Sequence, residues 1–157
     1  MGDTEGVYVD AGPITYQVQL SRELNPSIVP DSDYLGGLPA GVPQPKPDEE
    51  YFAIFLWAKN QTGSTQSTTN TFDLVDTQGN KYTPIALDPS VNRYAWTPMS
   101  LKPGASQPVP DSTAARGSTQ GGEVLFKVKT SVYANRPVTL EILGPSQQVQ
   151  ATVSIDL

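Results

Sequence analysis

The groups able to do chemistry in this chain are almost all oxygen bearers, and their tightest cluster lies in Asp31-Ser-Asp-Tyr-Leu-Gly-Gly37. Asp31 and Asp33 stand two residues apart, as in the opening of a calcium loop, where several oxygens must converge on a hard cation. The rest of an EF-hand loop does not follow, so a solvated acidic turn is the competing reading. Asp48, Glu49 and Glu50 would add oxygens if the intervening segment folds back. Equally, they are charges guarding the apolar strand that begins at Tyr51. The same carboxylates are the only candidates for a hydrolase, which needs two acids at a set separation with one raised in pKa by burial.

Aromatic residues outside the periodic segments are the second group. Tyr34 lies in the first long connection, and Tyr94 and Trp96 lie in the second, within Asn92-Arg-Tyr-Ala-Trp96. Two readings stand for these rings: an exposed patch for protein or sugar contact, or packing onto the end of the domain. Trp57, in mid-strand, reads as core.

Absent residue types exclude most other chemistry. With no Cys there is no disulfide framework, thiol nucleophile or thiolate metal site, and with no His the usual base near neutral pH is missing. A carboxylate-only chain is therefore read as a non-enzyme. The formal charge of -6 argues against nucleic acid, because phosphate binding requires clustered Lys and Arg. No glycine-rich phosphate cradle follows a strand and opens a helix.

Hydrophobic side chains recur at every second position. Ile14, Tyr16, Val18 and Leu20 alternate with polar residues, as do Val124, Phe126 and Val128, then Val138, Leu140 and Ile142, then Val149, Ala151, Val153 and Ile155. Tyr51 to Ala58 is apolar on both faces, as expected of a central strand. Phe72 and Leu74 run into Asp76-Thr-Gln-Gly-Asn80 and return through Lys81-Tyr82 as a hairpin. With Val7 to Val9 and Met99 to Leu101, the pattern predicts an all-β, antiparallel sandwich of seven to nine strands. Two connections, 25–48 and 88–122, are long and rich in proline, which makes them the expected binding loops. No stretch reaches the length of a membrane span.

The strand ending in Lys59-Asn-Gln-Thr-Gly63 carries a resemblance to a family of bacterial secreted and lipoprotein domains of unknown function with an immunoglobulin-like fold. So do Phe72 to Tyr82, Leu101-Lys-Pro-Gly104 and Glu123 to Val128. The family is similar in architecture to the mycobacterial immunoprotective extracellular antigen. The resemblance implies an immunoglobulin-like sandwich over 7–157 and an extracellular or cell-surface location; it brings no catalytic residue. Residues 1–6 are expected to be a flexible remnant, with membrane attachment only through an anchor lost ahead of Met1. The expected function is a non-catalytic module contacting a protein, peptide or cell-surface component through its long loops, as a monomer or weak dimer. The alternatives are a carbohydrate- or calcium-dependent module using Tyr34, Tyr94 and Trp96 or Asp31 and Asp33, and a carboxylate hydrolase.

Overall fold

The computed structural model describes residues 3–117 and 119–157. Among them the chain forms β1 (Asp3–Thr4), β2 (Tyr8–Ala11), β3 (Ile14–Leu24), β4 (Glu49–Asn60), β5 (Gln66–Ser67), β6 (Phe72–Val75), β7 (Lys81–Tyr82), β8 (Ser100–Leu101), β9 (Ser106–Gln107), β10 (Gly122–Lys129), β11 (Val138–Leu143) and β12 (Val149–Ile155). Seven of these have four or more residues; the others are two-residue pieces, of which the sequence marks β7 and β8 but not β1, β5 and β9. Two sheets stack face to face. One runs β10-β4-β3-β2, with β9 also on β4, and the other runs β1-β12-β11-β6-β7. Four principal strands of one sheet pack on three of the other, as in an antiparallel sandwich.

Period-two patterning explains the interior. Val9, Ala11, Tyr16, Val18, Phe52, Ile54, Leu56, Val124 and Phe126 from one sheet meet Phe72, Leu74, Leu140, Ile142, Val153 and Ile155 from the other. Two bulges break the alternation. Between Val18 and Leu20 the register on β4 slips by one, so Leu20 leaves the inner face and is 40% exposed, while Leu24 turns to the outer face and is buried. A second slip, at Ile142/Leu143, puts an extra residue into β12 and leaves Val149 exposed rather than inward. The expectation of a core-facing Leu20 and Val149 is corrected on that ground.

The long connections are not free. The middle of the first connection folds over the outer face of β4 through a 3₁₀ turn, Asp31–Leu35, and Tyr34, Leu35 and Leu38 pack with Ile85, Leu87 and Tyr94 against Tyr51, Ala53, Phe55 and Leu125, while the flanking residues 25–30 are exposed. The two covers meet where Asp88 N donates to Gly37 O at 2.8 Å. Gly37 has φ +75°, and a Cβ there would stand 2.8 Å from Asp88 O, so only glycine fits the joint. Along the free edge of β10, Trp96 N donates to Glu123 O and Ile85 N to Leu125 O, so the second connection caps an edge that would otherwise be open.

Residues 1–6 are not uniformly a loose remnant. Met1 and Gly2 lie outside the described residues, but Asp3 and Thr4 pair in parallel with Val153 and Ser154, and Gly6 N donates to Val18 O.

This packing gives a direct contrast in stability. Tyr34→Ala deletes a ring that is 1% exposed and should cost about 3 to 5 kcal/mol in chemical denaturation. Tyr8→Ala, on the exposed face, should stay within about 0.5 kcal/mol. Equal costs would mean that the cover over β4 is not part of the cooperative core.

Candidate functional site

The loop aromatics are interior residues. Trp96 is 7% exposed, sits between Tyr16 and Phe72 at ring separations of 6.2 and 6.3 Å, and donates Nε1 to Thr69 O at 2.9 Å. Its ring lies so close to Gly122 that a Cβ there would be 2.7 Å from Cε3. Tyr34 stands edge-on to Phe55 at 5.0 Å and to Tyr94 at 4.6 Å, and Tyr94 is half-buried in the same cluster. Apolar surface on the outer side of β4 draws Tyr34 and Tyr94 inward, and the core between the sheets takes Trp96, which removes the exposed patch that the three would have formed.

Asp31 and Asp33 are separated in role. Asp31 is buried, ion-paired with Arg22, and accepts Asn25 N at 3.0 Å, while Asp33 is exposed one step along the 3₁₀ turn. With an arginine on Asp31, the oxygens do not converge on an open position. No group of three or more carboxylates suited to a metal occurs among the described residues. Glu50 is instead brought to Glu23, and Tyr133 Oη stands 2.7 Å from Glu23 Oε2 and 3.3 Å from Glu50 Oε2. Both carboxyls thus converge on one phenol instead of standing apart around an open cleft.

The surface that the covers leave open is the other half of the β4 outer face. Cross-strand partners share a face, and the register sets Tyr8, Gln17 and Trp57 in one row, with Asp10, Thr15, Lys59 and Ser106 in the next. Tyr8 is 60% exposed, with its ring edge-on to Trp57 at 5.6 Å and 70°. Thr15 Oγ1 donates to Asp10 at 2.7 Å, Gln17 Nε2 to Gly6 O at 2.7 Å, and Gln19 to Gln17. Trp57 is thus a half-exposed member of an aromatic pair rather than core. The signal available in the sequence was its position opposite Phe52, Ile54 and Leu56 on β4, combined with an aromatic at the exposed phase of β2.

Sequence reading also missed the most deeply buried acid. Glu123 is 2% exposed beneath the second cover. Asn92 Nδ2 lies 3.3 Å from its Oε1, and Oε2 has no partner. Burial pushes its carboxyl up from 4.5 to about 8, against a smaller downward pull from the Asn92 amide. Between those values the folded chain keeps a proton that the unfolded chain loses, so stability falls as pH rises through this window and levels above it. Glu50, raised to about 7 by burial first and by Glu23 second, acts with the same sign. The thermal midpoint should therefore drop from about pH 5 to about 8.5, and Glu123→Gln should reduce that drop; identical slopes in calorimetry would show that Glu123 titrates normally.

No family model matches the chain, and no curated protein does. Among solved structures, the YjhA protein of Bacillus subtilis superposes with a TM-score of 0.64 at 15% identity, covering 98% of this chain and 99% of that one. The Bacillus subtilis YcdA protein, a candidate lipoprotein, superposes at 0.58 and 12% identity, with 99% of this chain on 39% of the longer one. A β-sandwich protein of Clostridium difficile gives 0.49 at 13% identity over 99% and 94% of the chains. At such identities the likeness to the first two is one of fold alone.

Proposed function

We propose that the chain is a non-catalytic, extracytoplasmic binding module that contacts a protein on the cell surface through the open half of its β4 outer face. One observation carries the reading. The long connections turn their rings Tyr34, Tyr94 and Trp96 inward and expose only scattered aliphatics such as Ile28, Val29, Val91 and Val109, while Tyr8 and Trp57 form an aromatic pair on rigid strands ringed by Asp10, Gln17, Gln19 and Lys59. An aromatic anchor with a polar rim is the usual composition of an interaction hot spot, and a sheet holds it at low entropic cost. The fold shared with the candidate lipoprotein YcdA supports placement outside the membrane.

A second reading rests on the same face. An exposed tyrosine ring flanked by the amides of Gln17 and Gln19 and the carboxylate of Asp10 suits the C–H face and hydroxyls of a sugar. Calcium is not carried further, because Arg22 holds Asp31.

Fluorescently labelled protein incubated with intact bacterial cells tests both readings. Tyr8→Ala or Trp57→Ala should weaken surface binding by about 30-fold, the loss expected of a hot-spot aromatic. Protease treatment of the cells should abolish binding if the partner is a protein. Competition by soluble cell-wall oligosaccharide, with resistance to protease, would select the sugar. Binding that survives both substitutions would remove this face as the site.

A further inference from the structure

The two stems of the covering loop 25–48 meet at a cluster of three side chains. Glu23 lies near the end of β3, just before the loop, and Glu50 lies near the start of β4, just after it. Their register partners, Phe52 and Val128, face the sandwich interior, so both carboxyls lie on the inner face at one end of the domain. The 3₁₀ turn Thr130–Tyr133 brings Tyr133 Oη to 2.7 Å from Glu23 and 3.3 Å from Glu50. A phenol has one proton to donate. It serves Glu23 at the shorter distance and leaves Glu50 underserved. Glu50 is 9% exposed, and its Oε1 is enclosed without a partner.

Nearby charges do not relieve this crowding. Arg22, next to Glu23 on β3, is taken by Asp31. Lys129, next to Val128 on β10, holds Asp48 at 3.0 Å and Glu49 at 4.0 Å, and Glu49 also accepts Lys46 N. Among the described residues no cation lies within ion-pair distance of Glu23 or Glu50. Two carboxylates converging on one phenol, with Glu50 enclosed and Glu23 open to water, favour a proton held by the pair.

We propose that Glu23 and Glu50 share one proton and, with Tyr133, form a clasp at the neck of the 25–48 loop that is closed while the proton is held and loosens when it is lost. Glu50's carboxyl, pushed up from 4.5 to about 7 by burial and by Glu23, puts the change within the range of an external medium. Tyr133 responds to the same pair: burial and the two carboxylates push its phenol up, so it remains a donor on both sides of the transition. Loosening the neck exposes the ends of the loop, next to Leu24 and Tyr51, before the rest of the domain.

Hydrogen exchange of the amides in 24–28, 44–51 and 131–135, corrected for intrinsic rate, reads this clasp. The measurement is made on a Glu123→Gln background so that the other raised acid does not titrate. Protection should fall about tenfold or more between about pH 6 and 8. Glu50→Gln supplies a permanent amide donor to Glu23 and should hold protection constant over that range. Tyr133→Phe should lower protection at both pH values but keep the pH response. A flat profile without further substitution, or a Glu50→Gln profile as steep as the background, overturns the proposal. Recovery of protection at pH 8 on adding calcium chloride, lost in Glu50→Gln, would also overturn it by showing a cation in the proton's place.

Discussion

Everything in this domain depends on β4 being apolar on both faces. Phe52, Ile54 and Leu56 close the interior against the second sheet, and Tyr51, Ala53 and Phe55 present an equally apolar surface to the other side. A two-layer sandwich covers only one of those surfaces. The chain solves this with a third, irregular layer made from its two long connections, whose aromatic and aliphatic side chains turn down onto the strand. Proline suits such a layer: it lowers the entropy lost when an irregular segment is pinned and needs no backbone donor.

Irregular cover brings a second constraint, because its polar backbone must be satisfied away from water. Buried amides and carboxylates serve as the fasteners. Asn92 donates to Tyr34 O at 2.8 Å and to Gly36 O at 3.1 Å and accepts Tyr94 N, joining both covers at one side chain. Asn60, wholly buried at the end of β4, donates to Ser64 O and Leu101 O and accepts from Thr62. Asp76 accepts from Gln78 N, Asn80 N and Asn135 Nδ2, closing the turn around Gly79. The motif residues that carry the family resemblance are therefore largely backbone fasteners, which is why they point to a fold and not to a reaction.

The same packing leaves two acids, Glu50 and Glu123, enclosed with incomplete hydrogen bonding. Both are more comfortable protonated, and each lies beneath or beside a cover. In contrast, the surface around Tyr8 and Trp57 is built on regular strands and owes nothing to the covers. The exposed aromatic pair and the enclosed acids thus lie on different parts of the same sheet.

Period-two alternation was enough to establish an all-β antiparallel sandwich, the interior set from Ile14 to Ile155 and the double-sided burial of the strand at Tyr51, because side-chain direction in a strand follows from backbone geometry alone. It could not show the bulges that expel Leu20 and Val149, since a single inserted residue depends on how a neighbouring strand pairs. Nor could it show whether Tyr34 and Trp96 were presented to solvent or buried, whether Asp31 would find Arg22, or that Glu23 and Glu50 would meet across a loop. These outcomes belong to tertiary structure because they join residues far apart in the chain, and local sequence carries no record of which distant surface lacks a cover.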